Sequence, residues 1–165
     1  MHAVHRYSTK PFPAYRYLPF QAGMPHPRND PDGHSHGLEE DYLPRFSATE
    51  WAACQPYLYG VDLFNHGYWW EAHEAWEQVW LAAGRTTMEG LFVQGLIQVA
   101  AGQLKRAMDE WHGAALLTES GIGKLTPAGE SFLGIELHPF IAEIRASLKS
   151  GDQMPPLIRL CPAPA

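Results

Sequence analysis

The chain has 165 residues, 45% of them apolar, and a formal net charge of −6. That is enough for one hydrophobic core and too little for two complete ones. The acidic balance repels nucleic-acid phosphate and anionic lipid, and the few basic residues are scattered rather than striped, so neither a nucleic acid nor a membrane is an expected partner.

The two cysteines, Cys54 and Cys161, stand in unrelated contexts and make neither a disulfide framework nor a Cys-x-x-Cys motif. The amino terminus runs into prolines without an apolar h-region. The longest uncharged apolar stretch, Gly90 to Leu104, is too short for a bilayer. A cytoplasmic protein with free thiols is the expectation.

Residues 1–46 hold seven of the fourteen prolines, mixed with aromatics (Phe12, Tyr15, Tyr17, Phe20). Proline removes an N–H donor and restricts its predecessor, so this stretch cannot hold a helix. It carries too many aromatics for a solvated linker and reads as an extended arm laid over the domain. Its turn-forming part contains His26, Asp30, Asp32, His34 and His36, residue types that ligate metals and also occupy ordinary turns.

From Ser47 the period is helical, and residues 47–150 read as one all-α bundle of five to six helices. Ser47 with Glu50 makes a capping-box pattern, Pro56 restarts or kinks the helix, and Gly67 closes it. A second helix runs from about Tyr68 to Gly84. Thr86 with Glu89 predicts the cap of a third, apolar on nearly every side and therefore central. Gly90, Gly95 and Gly102 within it suggest close backbone contact with neighbours. A fourth helix is expected after Gly113, breaking at Gly121, and shorter helices follow Thr126-Pro127 and His138-Pro139. Residues 151–165 read as a loose, proline-rich tail, and no strand pair competes with this reading.

The second helix is the informative one. At about 100° per residue, Tyr68, Ala72, Ala75, Trp76, Val79 and Trp80 fall on one arc, and Glu71, Glu74, Glu77 and Gln78 on the other. Trp70 projects into the acidic arc, a poor choice for a face that only meets water. Something apolar is expected to cover part of that arc, and covered carboxylates need cations, donors or protons. His73 and Glu77, four residues apart, can grip one ion. His73-Glu74-Ala75-Trp76-Glu77 departs from the zincin H-E-x-x-H by a glutamate in place of the second imidazole, and Trp70 stands where a ferritin-like Glu-x-x-His needs its acid. One nitrogen and several oxygen ligands suit Zn, Mn or Fe without choosing among them.

The string from Gly60 through His66-Gly67-Tyr68-Trp69-Trp70-Glu71-Ala72-His73-Glu74 to Trp80 closely resembles the Domain of Unknown Function family 309. Gln94-Gly95-Leu96-Ile97-Gln98 and Gly113-Ala114 are similar to that family's later motifs. Pro25-His26-Pro27 and Gly33-His34-Ser35 look like an extension carried by some bacterial members. The resemblance implies a compact helical bundle and supplies no reaction.

Two expectations follow. In the first, the protein binds a divalent transition metal and acts as a metal-dependent hydrolase. Glu74 and Glu71 are then catalytic, and His73, Glu77 and Glu74 hold the metal. Asn65, Gln94, Gln98 and His34 support them, the glutamines by facing the acidic arc. In the second, the same residues form a buried hydrogen-bond network in a non-catalytic helical module. The partner is a small molecule or a protein, and the tryptophan-rich surface makes a homodimer plausible.

Overall fold

Five α-helices form the body of the fold in the computed structural model, which describes residues 3–40 and 42–164. A 3₁₀ turn at Ala48–Ala53 leads into α1 (Gln55–Asn65), whose Pro56 sits in the first turn, where a missing N–H leaves nothing unpaired. Gly67, at φ 81°, turns the chain into α2 (Trp69–Ala83), and Gly84, at φ 91°, ends it. Helix α3 (Met88–Ala107) is capped by Thr87, whose Oγ1 accepts the Gly90 N–H at 3.0 Å. The cap thus lies one residue later than the Thr86 pattern predicts. Helices α4 (Trp111–Leu125) and α5 (Leu137–Ser147) complete the bundle. No helix among the described residues is long and apolar enough to cross a membrane.

Helix α3 lies between α2 and α4, and α1 packs on α2. The core is centred on Trp76, Tyr57, Phe64 and Phe92, all buried. Helix α4 begins before Gly113 and does not break at Gly121. The glycines serve contact instead. A Cβ on Gly121 would lie 2.8 Å from the Gly95 carbonyl oxygen, and one on Gly95 would lie 2.9 Å from that of Gly121, so the backbones of α3 and α4 touch there.

Two further expectations are corrected. Thr126-Pro127 opens only a 3₁₀ turn (Thr126–Ala128), and a short antiparallel hairpin follows, β1 (Ser131–Phe132) pairing with β2 (Ile135–Glu136). Its reversal at Leu133 (φ 48°) and Gly134 (φ 79°) is local turn chemistry that a helical period cannot reveal. The tail is not loose. Ile158 and Leu160 are buried in the core, and the Asn65 side chain holds Ile158 by two bonds of 2.7 Å, donating to its carbonyl and accepting from its N–H.

The arm runs extended across α1 and α2, with Tyr7, Phe12 and Leu43 packed against the core. Asp62 on α1 is its first anchor. Oδ1 accepts the Tyr7 N–H at 2.8 Å, and Oδ2 accepts from Ser8 N–H at 2.9 Å, Ser8 Oγ at 2.5 Å and Arg6 Nε at 3.2 Å. Further along, Phe12 stacks on Tyr68 and Arg16 donates to the His66 carbonyl at 2.7 Å.

Candidate functional site

The arm crosses α2 on the face that carries Trp70, Glu71, Glu74 and Gln78, and a cavity of about 230 Å³ remains between them. Its wall includes Lys10, Arg28, His34 and Ser35 from the arm and Tyr59 from α1. This is a space for a small ligand, below the usual size of drug-binding pockets.

The turn at residues 26–36 shapes one wall. His26 Nδ1 accepts the N–H groups of Arg28 and Asn29, both at 3.2 Å, and Asp30 Oδ1 accepts that of Asp32 at 2.9 Å. His36 Nδ1 bonds the Arg28 carbonyl at 2.9 Å. A side chain at Gly33 would collide with the carbonyls of His26 and Pro27, so only glycine lets the turn close. His26, Asp30 and His36 thus help to build this turn. What the turn presents is His34.

His34 and Glu71 are each 4% exposed at the side chain, and His34 Nε2 lies 2.7 Å from Glu71 Oε2. The same oxygen accepts the Tyr17 N–H at 3.0 Å. On the other side of the ring, His34 Nδ1 lies 2.7 Å from Ser35 Oγ. Tyr15 tilts against the imidazole at 4.6 Å, and its hydroxyl accepts the His34 backbone N–H while donating to the Pro25 carbonyl. Glu71 Oε1 is buried and has no hydrogen-bond partner among the described residues. Burial pushes the Glu71 carboxyl above its ordinary range, and the bonds from His34 and Tyr17 oppose that rise.

Trp70 is covered as its position among the acids predicts. Its ring meets Tyr17, His26, His34 and His73 edge to face, with centroids 5.3–6.4 Å apart. The acidic arc is thus divided: Glu71 is buried beneath the arm, Glu74 is half-buried and Glu77 is exposed. Glu74 Oε2 accepts Arg28 Nε at 2.8 Å, and Arg28 also reaches Glu40 at 3.1 Å.

His73, Glu74 and Glu77 bring one ligand atom each to within 4.8 Å of one another. His73 Nδ1 is bonded to the Trp70 carbonyl, which fixes the ring proton there and leaves the Nε2 lone pair outward. Nε2 faces Glu74 Oε1 at 3.3 Å. Two lone pairs at that distance need a second ring proton or a shared cation, and a divalent ion suits this donor set.

The remaining support residues lie elsewhere. Gln98 accepts from Ser120 Oγ at 3.0 Å and Lys124 Nζ at 2.8 Å, both on α4. Gln94 is on the same stripe one turn earlier. Gln98 thus turns toward α4 and not toward the acids of α2. Asn65 holds the carboxy-terminal segment and takes no part in the site. Ser35 escaped the sequence reading as a candidate, although it follows His34 within a Gly-His-Ser string of the turn region.

Fold and site together define a mostly helical protein with a buried histidine–carboxylate pair at a small cavity. Residues 57–117 match the family described as Domain of unknown function (DUF309). The matched residues run from α1 into α4 and include Glu71, whereas the arm that supplies His34 and Ser35 lies outside them. No curated protein matches the chain.

Proposed function

We propose that this protein is a small-molecule hydrolase whose reaction takes place in the cavity between the arm and α2. The observation that carries this reading is the His34–Glu71 pair, almost fully buried at the cavity wall with a contact of 2.7 Å. A carboxylate accepting His34 Nε2–H fixes the tautomer that leaves Nδ1 basic, so His34 is the general base and Glu71 the positioning residue behind it. Lys10 and Arg28 also line the cavity, the Arg28 guanidinium being held there by Glu74 and Glu40.

The test is an assay of untagged protein against p-nitrophenyl esters, p-nitrophenyl phosphate and aminoacyl p-nitroanilides. Turnover of at least one class should fall roughly 10²- to 10⁴-fold in His34→Gln. Glu71→Gln should lower kcat with KM unchanged, a split that general loosening of the fold does not produce. If the wild type turns over nothing faster than the His34→Gln, Glu71→Gln double variant, the pair is a structural network and the hydrolase reading fails.

A second reading is favoured by the convergence of His73, Glu74 and Glu77, which suits a divalent Zn, Mn or Fe ion at the rim of the same helix face. Untagged protein should then carry near-stoichiometric metal, lost in a His73→Ala, Glu77→Ala double variant that melts where chelator-treated wild type does. Metal-free wild type after purification with added Zn and Mn removes this reading alone.

A further inference from the structure

We infer that Ser35 is a nucleophile and that the reaction passes through an acyl-serine intermediate formed from a small carboxylic ester. The inference rests on the hydrolase reading and specifies its chemistry. Ser35 Oγ, His34 and Glu71 form one continuous line, with contacts of 2.7 Å on each side of the imidazole. A nucleophile bonded to a base that is itself oriented by a buried acid is the arrangement that activates a hydroxyl on unrelated folds. Here Nδ1 faces the serine and Nε2 the acid. The two ring nitrogens are chemically equivalent in this role, since fixing the proton on one leaves the lone pair on the other.

The line is built rather than incidental. Its acid comes from α2 and its serine and histidine from the arm, 36 and 37 positions away in sequence. The Ser35 N–H is held by the Pro27 carbonyl at 2.9 Å, so the turn fixes the backbone that carries the hydroxyl. Ser35, His34 and Glu71 all line the cavity, so the three residues border a space a substrate can enter. The pocket's size and the apolar side chains Leu38, Leu63 and Trp70 in its wall suit a short acyl group.

The step balances without any added redox partner. Ser35 Oγ bonds to the acyl carbon while its proton passes to His34 Nδ1. The bond to the leaving alkoxide breaks, and the alkoxide takes that proton and departs as the alcohol. A water then attacks the acyl-serine, giving its proton to Nδ1. The carboxylic acid leaves, and the proton returns to Ser35 Oγ.

The experiment uses a fluorophosphonate ester, which a nucleophilic serine attacks at phosphorus with loss of fluoride. Intact-mass measurement of the full chain should show one adduct, and peptide mapping should place it on Ser35. Labelling should be absent in Ser35→Ala and at least tenfold slower in His34→Gln, with melting temperatures confirming that both variants fold. No adduct, an adduct elsewhere, or equal labelling in His34→Gln overturns the inference. So does ester turnover that survives Ser35→Ala yet still requires His34: water is then the nucleophile, and the hydrolase reading stands without the covalent step.

Discussion

Two carboxylates lie under the arm, and they are treated in opposite ways. Asp62 on α1 is fully buried, and four donors from Arg6, Tyr7 and Ser8 converge on its two oxygens. Glu71 on α2 is nearly as buried but receives two donors on one oxygen, while the other has none among the described residues. A buried polar atom without a partner costs free energy, so a chain under selection for stability alone would fill or remove it. Asp62 has the chemistry of an anchor. Glu71 borders a cavity with one oxygen still lacking a donor among the described residues.

The largest effect should come from breaking the anchor. Asp62→Ala strands the Tyr7 and Ser8 N–H groups and the Ser8 hydroxyl, and should cost about 3 kcal/mol or more in chemical denaturation. Limited proteolysis should then cut within the arm before it cuts the helices. Asn65→Ala comes next, at about 2 kcal/mol, because it leaves both the N–H and the carbonyl of Ile158 unpaired inside the core.

Glu71→Gln sharpens the contrast by having the opposite sign. Glutamine can still accept from His34 and Tyr17 but carries no charge to desolvate. A carboxyl with a raised pKa holds its proton more tightly folded than unfolded. It therefore favours folding at acid pH, and that contribution is lost as pH rises from the unfolded value through the folded one. Wild type should thus be no more stable than Glu71→Gln at pH 7, and should gain on it as pH falls toward the unfolded value. Thermal melts of both proteins across that range decide the point, and a large loss of stability in Glu71→Gln at pH 7 would make Glu71 a second anchor.

How much of this was legible in the sequence depends on whether the information was local. Trp70 among three glutamates announced a covered acidic face, and the aromatic-rich arm announced a cover. The helix boundaries at Gly67 and Gly84 were readable because a glycine at positive φ is a local requirement. The partners were not readable: nothing within residues 1–46 says that Ser8 meets Asp62 or that His34 meets Glu71, since those pairings are 54 and 37 residues apart. Gln98 misled for the same reason. An amide on an apolar helix signals a polar neighbour, but not whether that neighbour is Glu74 on α2 or Lys124 on α4. Asn65 fell within a motif beside a histidine and a glycine, and its distant partner Ile158 made it structural.

The smallest stability effect belongs to the exposed end of the same helix face, where Glu77 lies in water. Removing an exposed carboxylate that no buried donor depends on should change stability by no more than about 0.5 kcal/mol. If the ion-binding reading of His73, Glu74 and Glu77 holds, Glu77→Ala should nevertheless lower the melting temperature in the presence of Zn or Mn and leave it unchanged in chelator, because a ligand that binds only the folded state stabilises it by mass action. His34 and Glu71 lie outside that triad, so fluorophosphonate labelling of Ser35 should be the same in Glu77→Ala as in wild type. A Glu77→Ala variant that loses both metal-dependent stabilisation and labelling would join the rim and the cavity into one site, with the ion and the serine line acting on the same substrate.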